Sequence, residues 1–272
     1  MAWSPLRSLS PRRRLTVLGA GVLAALALGV LLASRLGSGG GGSAPLARQD
    51  LPGPVLLVPG YGGSLASLEV LAGRLRAAGR DARTVPIPGD GTGDLRQQAK
   101  TLDVAVTAAL AAGAPSVDLV GYSAGGVVVR LWAKDDGGRT KARRIVTLGS
   151  PHHGAAVASA VQTFVPGLCP LACQQLAPGS DLLRRLNAGR EVPPGAQVLS
   201  LWTTQDETVT PPDSARLAGA VDVALQSVCA DEVVSHSDLP RDPLVTGLVL
   251  SALGAGPLVE PQAAQCAALR AG

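Results

Sequence analysis

Short apolar runs alternate with alanine-rich, helix-compatible stretches from residue 54 onward. The apolar runs, such as "PVLLVPG", carry hydrophobic residues on both faces and therefore predict buried β-strands. The predicted strands lie at 54–60, 81–88, 117–123, 143–150, 197–206 and 221–228. The stretches between them predict helices at 64–79, 94–112 and 124–136, the last of them ended by Gly137 and Gly138.

The first of these helices shows why the pattern favours an α/β fold. Leu65, Leu68, Leu71 and Leu75 share one face of it, and Gly79 ends it. Buried strands that alternate with such helices form a mostly parallel sheet with helices on both faces. In a sheet of this kind the ligand site lies beyond the carboxyl ends of the strands, so reactive side chains are expected there.

An uncharged apolar run at residues 15–33 follows the basic segment "PRRRL". As a helix it would span about 28 Å, close to the thickness of a bilayer core. Residues 1–36 therefore predict either a cleaved secretory signal or an uncleaved membrane anchor. Residues 37–51 contain "GSGGGGSAP" and predict a flexible linker, which leaves residues 52–272 as the folded domain, outside the cytoplasm.

The positive charge of the chain is concentrated at its N-terminus. The formal net charge is +4, and removing the five arginines of residues 1–36, a stretch without acidic residues, changes it from +4 to −1. A nucleic-acid binder needs a basic face on its folded domain. We therefore expect no nucleic-acid partner.

The chain contains four cysteines, an even number that predicts two disulfides in an exported protein. More than one pairing is possible. We favour Cys169–Cys173, which would close a proline-containing loop, and Cys229–Cys266, which would tie the C-terminal tail to the domain. None of the three histidines lies near a cysteine pair, so we expect no metal site.

The stretch "GYSAG" matches the pattern G-x-S-x-G between a predicted strand and a predicted helix. A sharp turn there would project the Ser123 hydroxyl above the sheet edge, at a helix N-terminus that favours negative charge. Gly121 and Gly125 lack the Cβ atoms that would clash across the turn. Ser123 is therefore the candidate nucleophile.

A serine nucleophile needs a base. His152 and His153 follow the next predicted strand and leave little room for an acid between them and Ser123. Where a strand-to-helix turn of this kind carries the nucleophile, the acid and then the histidine follow the serine along the chain. His236, in the predicted loop "VVSHSDLP", is therefore the candidate base.

Asp206 is the best-placed acid because it lies at the carboxyl end of the strand predicted at 197–206. Glu207 beside it is a weaker substitute, and Asp231 and Glu232 could be simple solvated charges.

An oxyanion needs two backbone donors. One is expected to be the N–H of Ala124, the residue after the nucleophile. The other is expected in the glycine-rich loop "PGYGGS" after the first strand, where we choose the N–H of Tyr61.

Five motifs together resemble secreted bacterial lipases and esterases of the α/β-hydrolase fold: "LLVPGYGG", "GYSAGG", "LGSPHHG", "TTQDETVTP" and "SHSDLP". The resemblance is nearest to small actinobacterial class 2 lipases and to the Bacillus lipase A type, and it covers residues 52–250. It implies carboxylic ester hydrolysis through an acyl-enzyme. It also implies a nucleophile–acid–base triad of Ser123, Asp206 and His236, with Tyr61 and Ala124 as oxyanion donors.

Two features depart from the family pattern. Pro59 stands where many relatives have a histidine, which affects the shape of the oxyanion loop rather than the triad. Residues 155–190 are longer than the smallest lidless relatives need, and they could form either a cap over the acyl pocket or core helices. His152 and His153 are expected to shape their loop rather than act as bases.

The sequence therefore predicts a serine ester hydrolase, a lipase or esterase that needs no cofactor. Its expected partner is a lipid or small ester substrate, and the protein is expected to be a monomer. Membrane contact would come from residues 15–33 if they are retained. An exported acyltransferase with the same triad and a non-catalytic binding domain on a hydrolase scaffold remain as alternatives.

Overall fold

The structure is a computed structural model, and it describes Arg12, Leu28 and residues 45–271. Apart from those two residues, the signal or anchor predicted at 1–36 lies outside the described residues. No helix in the described part is both long enough and apolar enough to cross a membrane.

The described end of the predicted linker packs against the domain. The Gln49 side chain donates to the carbonyl of Gly195 at 3.2 Å, and Arg143 Nη1 donates to the Gln49 carbonyl at 3.4 Å. The compact unit accordingly includes the chain from Pro45 onward.

Six parallel strands form one sheet in the order β2–β1–β3–β4–β5–β6. The strands are β1 (Val55–Val58), β2 (Ala82–Thr84), β3 (Val117–Tyr122), β4 (Ala142–Leu148), β5 (Gln197–Trp202) and β6 (Val221–Ala224). Each predicted strand is present and shorter than predicted. The residues that were predicted as strand but lie outside it are mostly at the carboxyl ends of the strands, where the chain turns into the loops of the candidate site.

The helices are α1 (Ala66–Ala77), α2 (Leu95–Ala111), α3 (Ala124–Asp135), α4 (Gly138–Lys141), α5 (Ala156–Phe164), α6 (Leu171–Leu176), α7 (Asp181–Asn187), α8 (Leu225–Val228), α9 (Pro243–Ala252) and α10 (Cys266–Ala271). Short 3₁₀ turns lie at Pro166–Leu168, Pro212–Ala215, His236–Arg241 and Ala263–Gln265.

The sheet separates two hydrophobic cores, because successive side chains of a strand point to opposite faces. In β1, Val55 and Leu57 pack in the core that contains α1 and α9, whereas Leu56 and Val58 pack in the core that contains α2 and α3. The predicted parallel sheet covered on both faces is confirmed.

Three local predictions were wrong. The strand predicted at 221–228 ends at Ala224 and continues as the helical turn α8. Gly138 was expected to help end a helix, but it begins α4, because Gly137 before it has φ +86° and reverses the chain. His236 was expected in a loop, and it begins the 3₁₀ turn His236–Arg241.

Both predicted disulfides are present. One bond joins Cys169, which lies just before α6, to Cys173 within that helix. The other joins Cys229, which follows α8, to Cys266 at the start of α10. The favoured pairing is thus confirmed. Disulfides persist in oxidising compartments, so the two bonds suggest an extracellular protein.

Candidate active site

Ser123 occupies the turn between β3 and α3 with φ 52° and ψ −125°. It is the one non-glycine residue with positive φ in the described part of the chain. Such a conformation costs about 1–3 kcal/mol and persists only where the surroundings hold it. Here the Ser123 N–H donates to the Leu148 carbonyl of the neighbouring strand at 2.8 Å, which fixes the turn to the sheet.

Two glycines make this turn possible. A Cβ on Gly121 would lie 2.5 Å from the Cα of Gly126, and a Cβ on Gly125 would lie 2.3 Å from the Val58 carbonyl oxygen. Neither position can hold a side chain without moving backbone. The close approach presses α3 against the end of β1 and leaves Ser123 half-buried at the sheet edge, where it lines a cleft.

Ser123, His236 and Asp206 come together through two hydrogen bonds. His236 Nε2 lies 3.0 Å from Ser123 Oγ, and His236 Nδ1 lies 2.7 Å from Asp206 Oδ2. An ionised carboxylate only accepts hydrogen bonds, so Nδ1 carries the proton and donates a hydrogen bond to Asp206. Nε2 is then free to accept the Ser123 proton, which is the tautomer that a general base needs. Both Asp206 and the imidazole are buried.

The Asp206 carboxylate is oriented by the chain that follows it. Its Oδ1 accepts the backbone N–H groups of Thr208 at 3.0 Å and Val209 at 2.7 Å. Because Oδ1 is engaged there, Oδ2 is the oxygen that faces His236.

The backbone of His236 is held on both sides. The Tyr122 hydroxyl donates to the His236 carbonyl at 3.2 Å, and Glu207 Oε2 accepts the His236 N–H at 3.2 Å. Burial, with the nearby charges of Asp206 and Glu207, raises the pKa of Tyr122 to about 12, so its hydroxyl stays protonated. Glu207 was expected as a weaker substitute for Asp206 as the acid, but its hydrogen bond with His236 is to the backbone N–H and not to the imidazole.

Sequence reasoning missed Tyr122 and also Gly149. A Cβ on Gly149 would lie 2.6 Å from Leu239 Cδ1 and 3.1 Å from both Asp206 Oδ2 and His236 Nδ1. Its φ is +53°. The available signal was its position in "LGSPHHG", directly after β4 at the carboxyl edge of the sheet. A side chain there would push the carboxylate and the imidazole apart.

We expect Gly149→Ala to lower kcat about 10- to 100-fold, because small displacements of reacting groups are costly. The matched control is Gly79→Ala, at φ +82° with open space around the added Cβ. The left-handed backbone should cost each variant about 1 kcal/mol of unfolding free energy, and Gly149→Ala should lose more because its Cβ meets Leu239; urea denaturation measures both. Equal kcat values in the two variants would contradict this role of Gly149.

An apolar cleft of about 330 Å³ opens beside Ser123. Val157, Val161 and Leu168 line it on one side, and Tyr61 lines it near the serine. The glycine-rich loop after β1 approaches Ser123 closely, since a Cβ on Gly60 would lie 3.0 Å from Ser123 Cβ. The candidate donors are therefore local to the serine: Tyr61 follows Gly60, and Ala124 follows Ser123.

The sequence left open whether residues 155–190 form a cap over the acyl pocket or core helices, and the segment has features of both. Helix α5 lies beside the cleft, and Ala158 is its one buried residue. Helices α6 and α7, in contrast, bury leucines such as Leu176 and Leu183 in the main core. The outer part of the segment thus borders the cleft, while the inner part belongs to the core.

His152 and His153 form no hydrogen bond to Ser123. His152 is wholly buried, with Nε2 3.1 Å from Thr147 Oγ1, and burial lowers its pKa well below the usual value. His153 Nε2 lies 2.9 Å from Glu191 Oε1. Across the described residues, no group of three or more His, Cys, Asp or Glu side chains is arranged to hold a metal ion.

The fold is similar to those of solved lipase structures. Aspergillus fumigatus lipase B aligns with a TM-score of 0.64 and 22% identity over 78% of this chain and 54% of its own. The chain therefore spans about half the length of that protein. The mature form of Bacillus licheniformis lipase BlEst2 aligns with a TM-score of 0.62 and 16% identity over 78% of this chain and 94% of its own. These likenesses show the predicted α/β-hydrolase fold.

No curated protein matches the sequence. The family model described as lipase (class 2) matches residues 96–234, slightly more than half of the chain. The matched region contains Ser123 and Asp206 and ends just before His236. The chain therefore belongs to the class 2 lipase family.

Proposed function

We propose that the protein is a serine ester hydrolase that cleaves lipid or small carboxylic esters through an acyl-enzyme. One observation carries the proposal: the unbroken hydrogen-bonded series from Ser123 Oγ through His236 to Asp206. It lies at the side of an apolar cleft that can take an acyl chain. Membership of a lipase family supports the same chemistry.

In the first half of the reaction, Ser123 Oγ attacks the ester carbonyl carbon while its proton passes to His236 Nε2. Asp206 holds the tautomer and stabilises the imidazolium that forms. The carbonyl oxygen becomes an oxyanion and takes hydrogen bonds from the N–H groups of Tyr61 and Ala124. When the intermediate collapses, the carbon–oxygen bond to the alcohol breaks, and the alcohol leaves with the proton from His236.

In the second half, water replaces the alcohol. His236 Nε2 accepts a proton from the water as the water oxygen attacks the acyl carbon. Collapse of this intermediate breaks the bond to Ser123 Oγ, which recovers its proton, and the carboxylic acid is released. Each step uses the same three side chains and the same two backbone donors.

Export is part of the proposal. The two disulfides support folding in an oxidising compartment. We place the protein outside the cytoplasm, either secreted or held at the membrane by residues 15–33.

A series of p-nitrophenyl esters of increasing acyl length tests the function. The full chain should hydrolyse these esters, and the chain-length optimum should separate an esterase from a lipase. Release of p-nitrophenol only when an alcohol acceptor is added would indicate an acyltransferase. A protein that neither hydrolyses any ester nor reacts with a fluorophosphonate would contradict catalysis altogether.

We expect Tyr122→Phe to lower kcat about two- to tenfold and to leave KM nearly unchanged, because one hydrogen bond to the His236 carbonyl is lost. The hydroxyl stays protonated in the wild type, since its pKa is raised to about 12. The ratio of wild-type to variant kcat should therefore be constant from about pH 6 to 10.

The matched control is Tyr61→Phe, because the role proposed for that residue uses only its backbone N–H. It should keep kcat within about twofold. If both variants behave alike, Tyr122 does not position His236.

A further inference from the structure

Two glycine-containing turns meet backbone to backbone near Ser123. One is the glycine-rich loop after β1, residues 60–63, and the other, residues 90–92, lies between β2 and α2. We call residues 90–92 the bracing turn. A Cβ on Gly91 would lie 2.4 Å from the Gly63 nitrogen and 2.7 Å from the Gly63 Cα. The two turns can therefore touch only because position 91 has no side chain.

The glycine-rich loop has little of its own to hold it in place. The Gly63 N–H donates to the Gly60 carbonyl at 3.1 Å and closes the loop into a turn. Tyr61 and Gly62, between them, are exposed. Within residues 45–271, the Tyr61 N–H forms no hydrogen bond with the chain, so it is available to a ligand. The position of this N–H thus depends on what packs against the loop.

The bracing turn is anchored both internally and to two helices. Asp90 Oδ1 accepts the Thr92 N–H at 3.0 Å. The side chain of Gln98, which is buried on α2, donates to the Gly91 carbonyl at 3.2 Å. The Ala172 N–H of α6 donates to the Thr92 carbonyl at 3.0 Å. Of the two turns, the bracing turn is therefore held more firmly, and a clash between them would displace the glycine-rich loop.

We propose that Gly91 is a positioning residue, through which the bracing turn holds the Tyr61 N–H in place for the oxyanion. Gly91 acts through Gly63 and the turn that Gly63 closes. An oxyanion donor works at about 2.7–3.1 Å from the developing charge, so a small shift of the loop weakens the hydrogen bond. The proposal rests on the proposed function, in which the Tyr61 N–H binds the oxyanion.

Gly91→Ala is expected to lower kcat about 10- to 100-fold with KM nearly unchanged, because the displaced donor acts mainly in the transition state. The matched control is Gly89→Ala. Gly89 precedes the bracing turn, has φ +65° against +71° at Gly91, and has open space around an added Cβ. It faces similar backbone strain without the contact, so its kcat should stay within about twofold of the wild type.

The preference for an ester over its thionoester reads out the oxyanion specifically. In a thionoester, sulfur replaces the carbonyl oxygen, and sulfur is a weak hydrogen-bond acceptor that gains less from the donors. The ratio of kcat/KM for a p-nitrophenyl ester to kcat/KM for its thionoester should fall about tenfold in Gly91→Ala. The ratio should be unchanged in Gly89→Ala. It should also be unchanged in Tyr122→Phe, which acts through His236 on both substrates alike.

A second variant loosens the brace without adding a side chain at position 91. Gln98→Met keeps a side chain of similar length and removes the hydrogen bond to the Gly91 carbonyl. The ester-to-thionoester ratio should fall about threefold. This variant tests the brace even if Gly91→Ala does not fold, which urea denaturation shows.

Hydrogen–deuterium exchange of the full chain, followed by mass spectrometry, tests the brace without turnover. The peptide that contains residues 60–63 should exchange faster in Gly91→Ala and Gln98→Met than in the wild type or Gly89→Ala. Equal exchange in all four proteins would overturn the proposal. An unchanged ester-to-thionoester ratio in both brace variants, or an equal fall in Gly89→Ala, would also overturn it. A wild type that hydrolyses no ester would instead contradict the proposed function, and exchange would still report the brace.

Discussion

Ser123→Ala is expected to lower kcat for a soluble p-nitrophenyl ester by about 10³-fold or more, while the protein stays folded. The substitution removes the oxygen that forms the acyl-enzyme and leaves the cleft and the backbone donors in place. Alanine and serine face the same backbone strain at φ 52°, so the unfolding free energy should change by less than about 1 kcal/mol. Initial rates and urea denaturation measure the two effects.

A serine in the histidine turn provides the control. The Ser235 hydroxyl is exposed and contacts Ser237 and Asp238, but not the imidazole. Ser235→Ala should keep kcat within about threefold. If Ser123→Ala retained more than about a tenth of the wild-type kcat, the nucleophile would have to be sought elsewhere.

Asp206→Asn is expected to lower kcat about 10³- to 10⁴-fold with little change in structure. The N–H groups of Thr208 and Val209 bind the Oδ1 position, so the amide oxygen of asparagine would stay there. The amide NH₂ would then face His236 Nδ1 and force the proton onto Nε2. Histidine in that tautomer cannot accept the Ser123 proton.

Glu207→Gln is the matched control for the acid. Glu207 accepts the backbone N–H of His236, and a glutamine oxygen can accept the same bond. We expect kcat to fall no more than about threefold. A larger loss in Glu207→Gln than in Asp206→Asn would assign the acid to Glu207.

The strands and the candidate nucleophile could be predicted from local signals, and the candidate base from its order along the chain. A buried strand, G-x-S-x-G and a helix adjoin one another around Ser123. The serine–acid–histidine order then selects His236 from three histidines. The disulfides were predicted from an even cysteine count, with one pairing favoured because it closes a proline-containing loop and the other because it ties the C-terminal tail to the domain.

The remaining features depend on contacts between distant segments. Asp206 and Glu207 are adjacent in sequence, and only the folded chain shows that one meets the imidazole and the other the backbone. The Tyr122 hydroxyl bonds to the His236 carbonyl, and Gly149 lies close to the His236 imidazole. Both residues precede His236 by a long stretch of chain, so the sequence carries no local signal for either contact. The strand predicted at 221–228 was too long because its second half, although apolar, packs as the helical turn α8.

The central claim is that Ser123 forms the acyl-enzyme, and covalent labelling of the full chain tests it most directly. The protein is incubated with a fluorophosphonate, digested, and the modified peptide is identified by mass spectrometry, while p-nitrophenyl ester hydrolysis is followed in parallel. The account predicts one adduct on Ser123, loss of hydrolysis in step with labelling, and no adduct in Ser123→Ala. An adduct on another residue, or hydrolysis that persists after Ser123 is fully labelled, would contradict it.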